Sequence, residues 1–218
     1  MTARIVALPM AKTEANSKSD ESRMTREPSF HRVHNLMGNY EWFAREFSSI
    51  YQNEHRPLEI GAGDGELVHY LNTGLTDAGH GFLRSYTCVG PKSRPERWPE
   101  RWTWSQSDPL TFESYANFNL MIANFSLWRY SDGELEELAA KVTSNARILI
   151  LNEPSKGMGA TIAGHFSFLL GMDGRTRETL SKCFRSGFNE GDLEKIMGLD
   201  KSRWQVTRTL TRIGSYRI

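Results

Sequence analysis

A glycine-rich turn between a predicted strand and a predicted helix is the strongest constraint on this chain. The apolar run at residues 58–60 contains one acid, Glu59, and leads into Gly61-Ala62-Gly63-Asp64-Gly65, after which the apolar residues take helical spacing. Glycine accepts positive φ and lets a ligand approach the bare backbone. The unpaired N–H groups at the start of the following helix favour the negative end of a ligand. The stretch therefore predicts a ligand site at the carboxyl end of a strand in a doubly wound α/β sheet.

Composition narrows the function classes. A chain of 218 residues corresponds to one domain, or one domain with additions. The formal net charge of +1 gives no bulk electrostatic argument for nucleic acid or a membrane surface, so we expect neither as a partner. Two cysteines are too few for a disulfide framework or a structural zinc site, and we expect no metal. With no recognisable signal peptide and no run of roughly 18 apolar residues, the sequence favours a cytoplasmic protein.

The pattern along the chain indicates one α/β domain over residues 30–218, preceded by a flexible arm. Residues 1–29 form the arm, because most of them are polar and cannot offset their ordering entropy by burial. Apolar spacing predicts a helical segment from 30 to 51 that breaks at Gly38-Asn39. Further strands are predicted at 86–89, 102–105, 120–124 and 146–152, with a closing hairpin over 204–218.

An acid two places before G-x-G-x-G resembles the first motif of class I S-adenosyl-L-methionine (SAM) dependent methyltransferases, and the last part of the chain resembles their bacterial small-molecule subset. The resemblance implies a Rossmann-like, doubly wound, mostly parallel sheet of about seven strands, with a C-terminal antiparallel hairpin. It also implies a helical lid insertion over residues 157–188. The implied activity is methyl transfer from SAM to a small molecule; we expect a hydrophobic or aromatic acceptor and favour O-methylation.

The same resemblance implies a set of cofactor contacts. Gly61, Ala62 and Gly63 would pass under the methionine moiety, and Glu59 would anchor the turn and the amino group of SAM. Asp108, after the third strand, resembles the acid that contacts the adenine amino group; its alternative is a turn aspartate before proline. The full implied set is Glu59, Gly61, Ala62, Gly63, Gly65, Asp108, Asn124, Phe125 and Tyr40.

Candidate substrate contacts come from the helical segment before the first strand, from the end of the fourth strand and from the lid. They are His34, Asn39, Ser126 and Phe166. Asn39 has an equally good interpretation as a helix-end residue beside Gly38. His165, in the lid, is the histidine we favour as the base of an O-methyl transfer, and its alternative is an incidental position on a packed helix.

One departure from the family pattern leaves two other functions open. The family carries an acid for the ribose hydroxyls after the second strand, whereas residues 85–95 contain no Asp or Glu. A methyltransferase fold that serves only as a binding module would explain the loss. The segment Lys92-Ser93-Arg94 instead resembles the basic segments that accept a 2′-phosphate, so the hypothesis of an NADP-dependent oxidoreductase stays open. The oligomeric state is not predicted.

Overall fold

A central β-sheet organises the part of the chain that the structure describes. The structure is a computed structural model, and it describes residues 30–156, 172–200, 202, 204–205, 209–210 and 215–218. The predicted arm at residues 1–29 lies outside the described residues. In the described part, no helix combines the length and the apolar character that crossing a membrane requires.

The sheet has five parallel strands followed by an antiparallel pair. Its spatial order is β3-β2-β1-β4-β5-β7-β6, with β7 antiparallel to both neighbours. The order reverses beside β1, which pairs with β2 on one side and β4 on the other, and this switch point is where doubly wound sheets bind ligands. The strands are β1 (Pro57–Ile60), β2 (Thr87–Gly90), β3 (Thr103–Gln106), β4 (Leu120–Asn124), β5 (Ile148–Pro154), β6 (Thr209–Leu210) and β7 (Ser215–Arg217).

Helices precede β1 and connect β1 to β2 and β4 to β5, while loops connect β2 to β3 and β3 to β4, the second of them with a short 3-10 turn (Ser114–Asn117). The helices are α1 (His31–Leu36), α2 (Asn39–Ile50), α3 (Leu67–Asp77), α4 (Asp132–Thr143), α5 (Gly174–Arg185) and α6 (Asp192–Ile196). Gly38 separates α1 from α2 with a left-handed φ of 61°. Ser131 and Glu134 form a reciprocal capping box at the start of α4, which satisfies two N–H groups that the helix cannot pair internally.

Two apolar clusters hold the helices to the sheet. One cluster places Phe43 and Phe47 of α2 and Leu71 of α3 against β2 and β4. The other contains Leu138 of α4 and Leu180 of α5, together with residues of α1 and α6. All four residues of β1 are buried, as expected for a parallel strand that is covered on both faces.

The predicted α/β fold with a parallel sheet is confirmed, and the lid over residues 157–188 stays a prediction. Residues 157–171 lie outside the described residues. Residues 174–185 form α5, whose Leu180, Cys183 and Phe184 are at most 2% exposed. One face of this helix therefore packs into the core of the domain. The antiparallel pair β6–β7 lies where the closing hairpin is predicted, with residues 211–214 outside the described part.

The Arg- and Trp-rich loop after β2 packs on the domain. Trp98 and Trp102 are 5% and 3% exposed, and the Trp98 indole N–H donates to the Trp102 carbonyl at 2.8 Å. The Arg101 guanidinium lies 4.5 Å from the centre of a Trp102 ring. Buried rings of this kind do not offer faces for stacked bases.

The burial pattern predicts opposite outcomes for one substitution at two helical leucines. Leu71 is fully buried, whereas Leu36 is 45% exposed. Leu71→Ala should lower the free energy of unfolding by about 2–5 kcal/mol, because it removes buried methyl groups and leaves a cavity. Leu36→Ala should change it by no more than about 0.5 kcal/mol. Urea titrations of both variants test this, and equal losses would contradict the burial pattern.

Candidate functional site

Two adjoining cavities lie at the carboxyl ends of β1, β2 and β4. Gly61, Gly63, Lys92 and Arg129 line both of them. The first cavity is completed by residues of α1, α2 and the end of β4, and the second by residues after β3 and β4. The additional first-cavity residues are Phe30, His34, Tyr40, Glu59, Ala62, Asp64, Leu67, Asn124 and Phe125, and those of the second are Pro91, Asp108, Ser126 and Tyr130.

Gly61 and Gly63 are required for different reasons. Gly61 has a φ of +72°, and a Cβ on it would overlap the Cβ of Ser126, because the turn after β1 passes directly against the loop after β4. Gly63 has a φ of +52°, and the nearest atom to its Cβ position is the Gly61 carbonyl oxygen, 4.0 Å away. The space that a side chain at position 63 would fill is therefore part of the cavities.

Gly65, predicted as a cofactor contact, lies against the Trp98 ring. A Cβ at this position would lie 2.6 Å from the Trp98 ring, and Gly65 lines neither cavity. Ala62, also predicted as a cofactor contact, lines the first cavity. The end of β2 runs close beneath the turn, where a Cβ on Gly90 would lie 3.3 Å from the Ala62 nitrogen. This approach leaves little room for a side chain at position 90.

Glu59 is a buried carboxyl group at the floor of the first cavity. It is 4% exposed, and its Oε2 accepts from the Tyr86 hydroxyl at 3.2 Å and the Cys88 thiol at 3.6 Å. Burial raises the pKa of Glu59 to about 8, although these two hydrogen bonds oppose the shift. The side chain is therefore mainly protonated at neutral pH until a cation lies beside it.

Glu153 holds the loop after β4, a role that the sequence analysis missed. Its fully buried carboxylate accepts from the backbone N–H groups of Ser126, Leu127 and Trp128 at 3.0, 3.1 and 3.3 Å. Burial raises its pKa to about 7 against these three donors. The loop it fixes includes Phe125, a non-glycine residue with a φ of +49°. An acid inside the mostly apolar β5 is the sequence signal that points to such a role.

Ser126 ties β1 to the loop after β4. Its hydroxyl donates to the Ile60 carbonyl at 2.8 Å, and it lines the second cavity rather than the first. Asp108 lines the same cavity, and its Oδ1 also accepts from the Leu110 N–H at 2.9 Å. Asp108 therefore combines the turn role with a position at a cavity wall.

Helices α1 and α2 bring His34 and Tyr40 into the wall of the first cavity. Their ring centres are 5.3 Å apart, and the His34 ring lies edge-on to Phe125 at 5.1 Å. Burial lowers the pKa of His34 to about 4, so its imidazole is neutral. Burial raises the pKa of Tyr40, which keeps its hydroxyl protonated. Asn39, predicted to contact substrate, lies behind His34, and its Nδ2 is 3.0 Å from the His34 Nδ1.

The predicted His165 and Phe166 lie outside the described residues, so the structure does not place them. Among the residues that it does describe, no group of three or more His, Cys, Asp or Glu side chains is arranged to hold a metal ion. The described site is therefore a polar and aromatic one, built on the glycine turn, α1–α2 and the β4 loop.

Comparison with known proteins identifies the fold. No family model matches the chain, and no curated protein matches it in sequence. Among solved structures, the plantazolicin methyltransferase BpumL, in complex with a monoazolic desmethylPZN analog and SAH, superposes with a TM-score of 0.60 at 10% identity, covering 92% of this chain and 77% of that one. The methyltransferase domain of bacterial CtHen1-C gives 0.54 at 12% identity, over 84% and 95% of the two chains.

Human N-acetylserotonin methyltransferase, in complex with SAM, gives a TM-score of 0.53 at 11% identity, over 84% of this chain and 52% of that one. At such identities the likeness is one of fold. The described chain thus has the fold of SAM-dependent methyltransferases, and the resemblance inferred from the glycine turn is confirmed at that level.

The buried carboxyl of Glu59 predicts a pH dependence of stability. Because its folded-state pKa of about 8 exceeds the ordinary 4.5, its contribution to stability is complete below pH 4.5 and is lost as pH rises through 8. Glu59 alone should lower the free energy of unfolding by several kcal/mol across that range. His34, whose pKa burial lowers from 6.5 to about 4, opposes part of this fall below pH 6.5. Urea titrations at several pH values test this.

Glu59→Gln should remove the contribution of Glu59 and leave those of Glu153 and His34. The matched control is Glu136→Gln on the exposed face of α4, which should keep the wild-type slope. A Glu59→Gln variant with the same pH profile as Glu136→Gln would contradict the assignment.

Proposed function

We propose that the chain is a SAM-dependent methyltransferase acting on a small-molecule acceptor in the cytoplasm. The observation that carries the proposal is the pair of cavities beneath the Gly61–Gly63 turn, at the switch point between β1 and β4. Solved proteins with this fold, such as the plantazolicin and N-acetylserotonin enzymes, are methyltransferases in complex with SAH or SAM.

The residues present suit the cofactor, even without the acid after β2. Glu59 and Asp64 give the first cavity an acidic side that fits an ammonium group, and Asp108 in the second fits the adenine amino group. Lys92 lines both cavities, and its ammonium group can donate to the ribose hydroxyls in place of the missing carboxylate acceptor. When bound, SAM supplies a methyl group activated by attachment to a sulfonium.

The chain's own contribution to transfer is mainly alignment of the acceptor with the methyl group, which can supply several kcal/mol. The ring of Phe125 in the first cavity offers an aromatic face to a cation and to a planar acceptor. We therefore keep a hydrophobic or aromatic acceptor, with O-methylation, as the expected chemistry. His165 as base and Phe166 as substrate contact stay predictions from the sequence.

A non-catalytic binding module is the second candidate, favoured by the crowding of Gly90 against Ala62 where the ribose acid is expected. The NADP hypothesis has less support, because Ser93 and Arg94 lie outside the lining of both cavities and only Lys92 remains of its basic group.

Calorimetric titration of the purified protein with S-adenosylhomocysteine (SAH) decides among these functions. We expect binding at micromolar concentration or tighter, and no binding of NADPH. A folded protein that binds NADPH instead would favour the oxidoreductase. A folded protein that binds neither would overturn the methyltransferase and leave the non-catalytic module.

The glycine turn supplies a matched pair of variants. Gly63→Ala puts a methyl group into the cavities, whereas Gly79→Ala places one at a left-handed position with nothing within 4 Å. Each should cost about 1–2 kcal/mol of stability, because a side chain is strained at positive φ. Gly63→Ala alone should weaken SAH binding, by at least about tenfold, or ~1.4 kcal/mol. Equal SAH affinity in the two variants would locate the cofactor elsewhere.

Binding of SAH should also release a proton from Glu59. A cationic amino group beside this carboxyl lowers its raised pKa, so at pH 7 the bound form ionises. The binding enthalpy should then depend on the ionisation enthalpy of the buffer, and Glu59→Gln should remove that dependence. An enthalpy that is the same in phosphate and Tris would show that the ligand's cation lies away from Glu59.

A further inference from the structure

Arg217, on β7, joins three parts of the chain behind the first cavity. It is 9% exposed, and its Nη2 donates to the carbonyls of Met37 and Gly38 at 3.2 and 3.4 Å and to the Asn39 Oδ1 at 3.2 Å. Its Nε donates to the Asn152 Oδ1 at 3.3 Å. Burial lowers the pKa of Arg217 to about 10, so the guanidinium remains charged at neutral pH.

The first chain of hydrogen bonds from Arg217, through Asn39, determines which ring nitrogen of His34 carries the proton. A guanidinium has donors only, so Asn39 must turn its Oδ1 toward Arg217. The Asn39 NH₂ group then faces the His34 Nδ1 at 3.0 Å and donates to it. A neutral imidazole that accepts at Nδ1 carries its proton on Nε2.

The second branch orients Asn124 by the same logic. With its Oδ1 held by Arg217, Asn152 donates through Nδ2 to the Asn124 Oδ1 at 2.8 Å. Asn124 lies at the wall of the first cavity, and the hydrogen-bonding group that it can still offer a ligand there is its NH₂ donor. Both branches therefore end in a hydrogen-bond donor at the cavity that His34 and Asn124 line.

We propose that Arg217 is a positioning residue, which orients His34 through Asn39 and Asn124 through Asn152 so that both present hydrogen-bond donors to the first cavity. The acceptor substrate that these donors fit is an oxyanion, an organic carboxylate above all. The proposal rests on the methyltransferase function. The His34 Nε2 carries a proton and has no lone pair, so it cannot act as a base. Lys92 and Arg129 line the same cavity and add positive potential there.

Such an acceptor makes the transfer complete without a proton transfer. A lone pair of the carboxylate oxygen forms the new O–CH₃ bond while the S–CH₃ bond of the cofactor breaks, and the bonding pair stays on sulfur. The second carboxylate oxygen accepts from His34 or Asn124 and keeps the first one oriented. No group has to remove a proton, so the reaction does not need His165.

The surroundings of His34 support a neutral ring. Burial has the largest effect and lowers its pKa; Asp64, in the turn, raises it, and His31 on the same helix lowers it. Tyr40 faces the ring from α2, and Lys92 and Arg129 share the cavity. Glu59, the other acid of this cavity, is mainly protonated at neutral pH because burial raises its pKa to about 8. Two cations and a second histidine against the Asp64 carboxylate do not favour an imidazolium.

Nitrogen NMR of the full chain, labelled at histidine with ¹⁵N, tests the inference. His34→Gln assigns the signals. We expect His34 to show the neutral Nε2–H pattern and to keep it from about pH 6 to about pH 8. An Nδ1–H pattern, or a titration within that range, would overturn the proposal. This readout does not require a bound cofactor, so it is independent of whether SAH binds.

Asn39→Asp is the sharpest variant, with Asn35→Asp as its matched control. A carboxylate at position 39 keeps the Arg217 pairing but only accepts, so His34 must donate from Nδ1 and its tautomer reverses or its pKa rises. Asn35 contacts His31 in the same way, Nδ2 to Nε2 at 3.0 Å, so Asn35→Asp adds the same charge to the same helical hairpin. Identical His34 spectra in the two variants would contradict the relay.

Arg217 variants separate positioning from packing. Arg217→Met should give a mixture of His34 tautomers, and Arg217→Lys, which still donates, should restore part of the Nε2–H form. If folded Arg217→Met gave the same His34 spectrum as the wild type, Arg217 would have only a packing role.

Titrations with small ligands test whether the cavity binds an oxyanion and whether that oxyanion belongs to the acceptor or to the cofactor. In the SAH complex, benzoate should shift the His34 Nε2 signal and benzyl alcohol should not; the reverse order, or no shift with benzoate, would overturn the substrate class. A full shift with SAH alone would assign the donors to the cofactor's own carboxylate and likewise overturn the proposal.

Discussion

The close approach of the β1 turn to the loop after β4 is the constraint on which the site depends. Gly61 leaves no room for a side chain against Ser126, and the Ser126 hydroxyl is bonded back to the Ile60 carbonyl. Glu153 fixes the other side of the same loop through three backbone N–H groups. Because these contacts leave little freedom to either loop, the cavities between them have a defined shape before any ligand arrives.

The electrostatics of the first cavity depend on burial. Glu59 can attract a cation, and the Arg217 relays supply hydrogen-bond donors at His34 and Asn124. In a medium of low dielectric constant, both effects are stronger than in water. A ligand that carries both a cationic group and a hydrogen-bond acceptor therefore fits this cavity better than one that carries only one of them.

Local patterns in the sequence predict most of the fold, whereas the wiring of the site depends on contacts between distant residues. The glycine turn, the buried strands and the Ser131–Glu134 capping box are all set by neighbours within a few positions, and each lies where the pattern places it. The packing of Gly65 could not be predicted, because its environment is formed by Trp98, 33 positions away. Glu153 and Arg217 act through partners that only the folded sheet brings together; an acid inside an apolar strand marks Glu153, but the spacing does not name its partners.

The separation of Arg217 from its partners also has a consequence for the order in which the molecule is assembled. The guanidinium contacts Asn39 across 178 positions and Met37 across 180, and closing so long a segment costs more chain entropy than pairing neighbouring strands. During synthesis, the five parallel strands can pair before β7 is available. The wall that contains His34 is therefore set last, when β7 docks beside β5, so a nascent chain acquires its sheet before it acquires a competent cavity.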